Sequence, residues 1–388
     1  MRLAVGAACL AIATHSLPAA ADDDFAGATI IFARDHSLIR VDPRGKAETE
    51  IATFGDPSDK KTKPPIVRSL KTDAAGKVLL ADLGGSWQWM PLDGSAKSLT
   101  PLACGDGPAQ LAEDGTCVVC RSPAGAPRSG SQIVNLATGK ALAVDQTGAR
   151  VTGKGGDRRL VWADKDGVWS APPGDRKKAK KVAPEPPLRS FLPSPDGARA
   201  VGVYSAEIYT DAHHKKPAEI LMGFQLDGAG ARRKAIKAGV PLEWSHDSEW
   251  VLVQNGGEAC LMHATGGEYK CWRGYTAASI SSDGKYGVFL GSRDGSHRQA
   301  PVPKVDPKVD KKKKGRAAKQ KPPDKKVDPA DEPDLEGGDP DADDVAVPPP
   351  SGPLSIFRAK LEGSAFTESP PLIVKSVDGA AVWVPGAL

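Results

Sequence analysis

The chain has 388 residues, a formal charge of +4, 42 glycines and 34 prolines. Glycine and proline at that density interrupt helices and exclude a helical bundle, while 40% hydrophobic residues suffice for a sizeable core and exclude global disorder. With 52 basic against 48 acidic residues, nothing in the charge balance calls for a nucleic-acid partner.

Residues 1–21 read as a signal peptide. Met1-Arg2 is a minimal basic start, an apolar stretch follows from Leu3 to about Thr14, and Pro18 precedes Ala19-Ala20-Ala21 and the acidic Asp22-Asp23-Asp24. Small residues at Ala19 and Ala21 suit signal peptidase, so cleavage is expected after Ala21. A lipoprotein anchored through Cys9 is the weaker alternative, because Gly6 stands where a large aliphatic residue is usual. No later stretch offers the ~18 apolar residues that span a bilayer, so the expected location is periplasmic or secreted.

From residue 22 onward a unit recurs: a short strand, an Asp-Gly-type turn, and an apolar strand. It follows two N-terminal strands, Thr29-Ile-Ile-Phe-Ala33 and Ser37-Leu-Ile-Arg-Val41. Its instances turn at Asp73, Asp114, Asp157, Asp196, Asp247, Asp283 and Asp378, separated by 41, 43, 39, 51, 36 and 95 residues. A period near 40 residues built of strands and turns is what a four-stranded propeller blade requires. Asp closes such a turn with its side chain, and Gly supplies the positive φ. The fold class expected is therefore all-β, a single β-propeller of about seven four-stranded blades, with six or eight as alternatives. Residues 22–298 hold the blades and 354–388 the closing strands, with both termini sharing one blade so that few edges stay open.

Between them, 299–353 changes character. Residues 304–326 carry eleven basic and three acidic residues; 328–344 carry nine acidic ones and no basic one. Proline-punctuated and free of aromatics, this insert is expected to be a disordered polyampholyte, with weak electrostatic contact to an anionic surface as its functional alternative. The second basic run, Arg176-Lys-Lys-Ala-Lys-Lys181, reads as a solvated turn.

At Ser194-Pro-Asp-Gly197, followed by Ala200-Val-Gly-Val-Tyr-Ser205, the unit resembles the propeller repeat of the TolB type, a WD-like repeat of bacterial envelope proteins. Ser281-Ser-Asp-Gly284 and Ser245-His-Asp-Ser248 match it less fully. The resemblance implies a propeller and an envelope setting.

Export permits disulfides. Centring a hairpin on Thr265-Gly266 puts Cys260 opposite Cys271, a spacing that suits a bridge. The second expected bridge is Cys104–Cys120, preferred to Cys104–Cys117. Cys117-Val-Val-Cys120 lies in a strand-like run, so it reads as structural rather than as a redox motif.

No nucleophile elbow, zinc-protease helix motif or phosphate-binding loop occurs, and no catalytic, metal or cofactor residue is assigned. Asp211-Ala-His213-His214 reads as a hairpin tip, and Asp164-Lys-Asp166-Gly167 as a turn rather than a calcium loop. The eight tryptophans read as blade packing, with Trp87 and Trp89 sharing one face near a blade's outer half. Glu243 and Lys375 stand out as titratable residues on strands expected near the channel. The function expected is an exported, monomeric, non-catalytic scaffold whose protein partner engages rim loops such as 121–131 and 210–217. The alternative is a propeller enzyme of lyase or glycosidase type, and convergence of Asp and His side chains within hydrogen-bond reach at one channel mouth is the feature that would put it first.

Overall fold

In a computed structural model the described residues are 25, 27–55, 65–126, 130–183, 187, 189–209, 215–226, 234–237, 239–265, 269–292, 354–360 and 370–386. The expected signal peptide, the charged insert, His213 and His214 lie outside them, as does part of each rim loop.

The strands pair into seven four-stranded antiparallel sheets, and these are the blades. Blades 2 to 7 run consecutively over residues 67–101, 110–144, 150–183, 189–237, 240–273 and 276–377. Blade 1 takes three strands from 29–53 and its inner strand, Ala381–Val384, from the other end of the chain. Thr29 stands opposite Val384 and Phe32 opposite Ala381, so one ladder joins the two ends. The expected shared blade is there.

The sequence makes closure necessary. Thr29–Arg34 reads TIIFAR, and its four central residues are buried. Ile31 and Ala33 pack toward blade 2, while Ile30 and Phe32 pack toward blade 7. A strand apolar on both faces has no solvent side, so each blade needs two neighbours. Seven apolar clusters result among the described residues, one at each interface between consecutive blades. On the blade 6–7 interface Trp250 packs so closely on the next blade's turn that a Cβ at Gly284 would lie 2.1 Å from its ring.

Residues on either side of the insert pair without a break. Ser292 is opposite Leu354 and Tyr286 opposite Lys360, so the second and third strands of blade 7 form one hairpin from whose end residues 293–353 depart. The hairpin of blade 5 is longer than the others, with Arg199–Tyr209 paired to Lys215–Gln225 through eleven residue pairs.

Three of the seven expected turns need correction: in blade 4 Asp157 N–H donates to Lys154 O as Gly197 N–H does to Ser194 O, so Asp157 takes the glycine's place. Asp378 lies between the outer strand of blade 7 and the inner strand of blade 1, where its Oδ2 accepts Asp35 N–H at 2.6 Å. The first turn of blade 1 is instead the gap between the chain ends. Asp73 is in a proper first turn but two residues out of register. Gly76 N–H donates to Asp73 O as Gly197 N–H donates to Ser194 O, so Asp73 takes the place of the serine. Lys375, expected near the channel, lies on the outer strand Leu372–Val377 of blade 7. The apolar run around it is compatible with either position, which is why the strand order decided it.

Cys104–Cys120 and Cys260–Cys271 stand at disulfide distance, with S–S separations of 2.08 and 2.05 Å, and Cys260 faces Cys271 in register. Cys117 faces the blade 3–4 interface and Cys120 the blade 2–3 interface, because residues three apart on a strand point to opposite sides. That parity gives Cys104 its partner and leaves Cys117 buried as a thiol. Trp87 and Trp89 do share a face, but Trp87 is spent on packing: it is 3% exposed and donates Nε1–H to Gly107 O at 2.8 Å.

Two outcomes follow. With the loops of 16 and 11 residues closed, each bridge contributes about 3 kcal/mol. Among Cys104, Cys117, Cys120, Cys260 and Cys271, alkylation is expected to label none in the native protein, Cys117 alone once it is unfolded, and the other four after reduction; peptide mapping reads this directly.

The second outcome concerns acid. Burial pushes the Asp114 carboxyl up, but hydrogen bonds from Arg158, Gly155 and Thr116 outweigh it and bring the pKa to about 2. Arg158 belongs to blade 4, so the pair ties two blades. A depressed carboxylate stabilises the fold above its unfolded pKa and loses that contribution as pH falls through its folded one. Asp114→Asn is therefore expected to lower stability by about 2 kcal/mol at pH 7, with the difference from wild type shrinking below pH 4 in denaturant titrations.

Candidate functional site

The first turns of blades 5, 6 and 7 share a small set of hydrogen bonds, and blade 2 uses a variant of it. In blade 6 Ser245 Oγ donates to Asp247 Oδ1 at 2.5 Å and accepts Trp250 N–H at 2.9 Å, while Asp247 Oδ1 also accepts Glu249 N–H. Blades 5 and 7 repeat this with Ser194–Asp196 and Ser281–Asp283. Burial pushes Asp283 up, but bonds from Ser281 and Lys285 prevail and hold it below the usual carboxylate range. In blade 2 Asp73 Oδ1 does the serine's work, accepting Lys77 and Val78 N–H at 2.7 Å.

The turns also link blade to blade. Ala74 N–H donates to Glu113 O at 3.0 Å, Gly153 N–H to Pro195 O at 2.8 Å, and Asp247 N–H to Ser282 O at 3.1 Å. Ser248, at φ +64°, occupies the position that Gly197 and Gly284 hold in blades 5 and 7. It is tolerated there while its hydroxyl accepts Asp196 N–H across the blade interface. The result is a rigid collar around one mouth of the channel.

In blades 3, 5 and 6 the residue inside the turn, between its first and third members, points at that mouth. It is Glu113 in blade 3, Pro195 in blade 5 and His246 in blade 6, and all three line one cavity of about 310 Å³. Five of the seven blades contribute to its wall, which includes Lys71, Trp244 and the partly exposed Leu242.

Four titratable side chains converge here. Glu113 Oε2 meets His246 Nδ1 at 2.6 Å, with the two side chains 13% and 18% exposed. Among the described residues nothing meets His246 Nε2, and the ring borders the cavity. Glu243, on the inner strand Val240–Trp244, accepts Ile280 N–H from blade 7 at 3.2 Å. Lys71 Nζ donates to Ala109 O at 2.6 Å. Trp244 Nε1–H donates to Leu192 O at 3.0 Å and fixes the wall between blades 5 and 6.

Electrostatics set the protonation. Burial raises Glu243 to about 7, with His246 and Lys71 pulling it back only partly. Burial alone would lower His246, but the hydrogen bond and charge of Glu113, with the charges of Glu243 and Asp73, raise it above the ordinary histidine value. Glu243 is thus near its midpoint at neutral pH, and His246 keeps its proton to higher pH than an ordinary histidine.

Glu243 sits where the sequence puts it. Lys71, Glu113 and His246 escaped notice because each belongs to a different blade. The available signal was positional: a charged residue standing inside a first turn, next to the Asp that closes it.

No protein-family model and no curated protein matches the sequence. Solved structures similar in fold include TolB from Acinetobacter baumannii, at 13% identity and a TM-score of 0.41, covering 63% of this chain and 62% of that one. An oligogalacturonate lyase in complex with manganese is similar at 13% identity and a TM-score of 0.44, covering 66% of this chain and 79% of that one. A eukaryotic initiation factor structure is similar at 10% identity and a TM-score of 0.39, covering 92% and 98%. The propeller architecture rests on the strand pairing described above, and these likenesses concern fold alone.

A raised carboxyl and a raised histidine act on stability in the same direction. Both bind protons more tightly in the folded chain, so stability falls as pH rises from below their unfolded values through their folded ones. Glu243→Gln is expected to flatten the decline in melting temperature between pH 5 and pH 8, leaving the smaller part due to His246. A variant that declines as steeply as wild type would place the buried acid elsewhere.

Proposed function

We propose that the protein is an exported, monomeric β-propeller that binds its partner or ligand at the channel mouth formed by Glu113, His246, Glu243 and Lys71. Export rests on the leader-like residues 1–21 with cleavage after Ala21, and two cysteine pairs at disulfide distance suit an oxidising compartment. Among the described residues no helix is long and apolar enough to cross a membrane. The observation that carries the binding role is the cavity itself: a concave site with a few convergent polar groups in a rigid wall. Its position moves the working surface from the rim loops to the channel.

A second reading, a propeller enzyme of lyase or glycosidase type, is favoured by the contact between Glu113 and His246. A carboxylate fixing one nitrogen of a histidine while the other faces a cavity is an arrangement for proton transfer. Glutamate stands here where the sequence criterion named aspartate. Binding keeps the first place because the surrounding carboxylates favour the protonated ring, which donates a hydrogen bond and is a poor base.

Pull-downs from envelope extract with four forms of the protein separate these possibilities. They are the intact protein, the double variant Glu113→Gln/His246→Ala, a deletion of 299–353, and a replacement of rim loop 121–131. Capture lost in the double variant alone, with its melting temperature retained, supports the mouth. Loss only in the rim replacement moves the site to the rim, and loss only in the deletion assigns binding to the insert. Turnover in a hydrolase and lyase screen that Glu113→Gln abolishes would promote the enzyme.

A further inference from the structure

We propose that the partner of the mouth is an acidic polypeptide, and that its acidic segment runs outward from the mouth over a basic corner of blade 4. The inference rests on the mouth being the binding site.

Blade 4 concentrates positive charge. Residues 150–183 carry ten basic residues against four acidic ones, in a chain whose formal charge is only +4. The strands of this blade are Arg150–Thr152, Arg159–Asp164, Gly167–Ala171 and Lys180–Ala183. In an antiparallel sheet the first and third turns lie at the same end. Lys154 in the first turn and Arg176–Lys178 in the third therefore stand on the side of the disc that carries the mouth. The run at 176–181 is exposed, as a solvated turn should be, yet it is not neutralised.

The charges of this corner can be counted residue by residue. Arg158 is matched by Asp114 of blade 3, and Lys178 by Asp175 at 3.0 Å. Arg159 and Lys180 border a cavity of about 290 Å³ together with Asp157 and Asp196, two charges of each sign. Arg150 and Lys181 belong to the far end of the blade, where Lys181 Nζ donates to Asp166 O at 2.6 Å. Among the described residues nothing meets the side chains of Lys154, Arg176 or Lys177, and all three are exposed. Three positive charges are left over.

An apolar residue borders this excess. Leu142, in the outer strand of blade 3, is 48% exposed and lies beside the third turn of blade 4, where a Cβ at Gly174 would be 3.4 Å from its Cδ2. The corner is also continuous with the mouth. Gly153 N–H donates to the carbonyl of Pro195, which lines the mouth, and Gly155 N–H to Asp114, next to Glu113. The first turn of blade 4 thus lies directly outside the wall between the two blades that supply Glu113 and Pro195.

The one-sided distribution selects the kind of partner. Elsewhere on this side Arg44 is paired with Asp42, Arg199 with Glu249 and Lys285 with Asp283, while Lys46, Lys77 and Lys97 stand singly. A bilayer lying against the disc would meet all seven blades and call for charge spread around the ring. Charge gathered on one blade, beside an exposed leucine, suits a narrow segment that carries carboxylates and an apolar residue out of the mouth.

The probe is a short fluorescent peptide of glutamates around one leucine, titrated into the full protein and read by anisotropy. The same peptide with lysines in place of glutamates, and vesicles of phosphatidylglycerol, are titrated beside it. The acidic peptide is expected to bind and the basic one not, with affinity falling about tenfold as salt rises from 50 to 300 mM. Lys154→Gln/Arg176→Gln/Lys177→Gln should bind at least tenfold more weakly with an unchanged melting temperature. Lys46→Gln/Lys77→Gln/Lys97→Gln removes the same charge from other blades and should bind within about twofold of wild type. No binding of the acidic peptide at 50 mM salt, or an equal loss in both triple variants, overturns the proposal. Vesicles bound more tightly than the peptide through the same three residues overturn it in favour of a membrane. In the pull-down from envelope extract the blade 4 variant should lose most of the capture. Capture kept there but lost in Glu113→Gln/His246→Ala overturns the acidic partner and leaves the mouth standing, so the two failures are distinct.

Discussion

The constraint on which everything else depends is that each blade is apolar on both faces. Ile30-Ile31-Phe32-Ala33 on the second strand of blade 1 has no residue to spare for water, and Val251-Leu252-Val253 in blade 6 is built the same way. Such strands cannot end a stack. The chain therefore closes on itself, and the strand Ala381–Val384 fills the inner position of the first blade with all four residues buried. Closure is a thermodynamic requirement of the sequence pattern, since an open ring would leave two such faces exposed at roughly 25 cal/mol for each Å².

A closed ring has a consequence at its centre. Seven inner strands converge, and backbone bonds join the first turns of neighbouring blades, as from Ala74 to Glu113 and from Asp247 to Ser282. The Ser/Asp pairs inside the turns and the backbone bonds between them use up the polar groups that crowding would otherwise strand. What remains is the side chain of the middle residue, which has no structural duty. Proline there makes wall; glutamate and histidine there make chemistry. Stability and site are thus written in the same four-residue unit at different positions, and a substitution at the middle can alter the mouth without unpicking the turn.

Much of the ring was legible in the sequence because its signals are local. Strand–turn–strand units recur at about 40 residues, the Cys260–Cys271 register follows from counting outward from a turn, and the insert declares itself by composition. Legibility failed where a position depends on another blade. Asp378 fitted the spacing once the insert was subtracted, yet the chain ends, and no Asp-Gly turn, occupy the first corner of blade 1. Lys375 has the apolar neighbours of an inner strand and lies on an outer one. The contact of Glu113 with His246 spans 133 residues, and only the curvature of the ring brings them together. Periodicity reports what each blade contains; it carries no information about which two blades face across the channel.

That separation explains why a buried acid can be kept at the mouth. A carboxyl on a mobile loop would turn to water and titrate normally, because reorientation costs less than desolvation. Glu243 has no such exit. Its strand is held by Leu252 and Val251 of the same sheet, its carboxylate is fixed by Ile280 of the next blade, and the wall beside it is set by the bond from Trp244 to Leu192 in the blade before. Three blades hold one side chain, so relaxing it means opening interfaces that the apolar clusters keep shut. The ring thus retains a buried carboxyl in a setting that raises its pKa, which local structure alone could not hold in place.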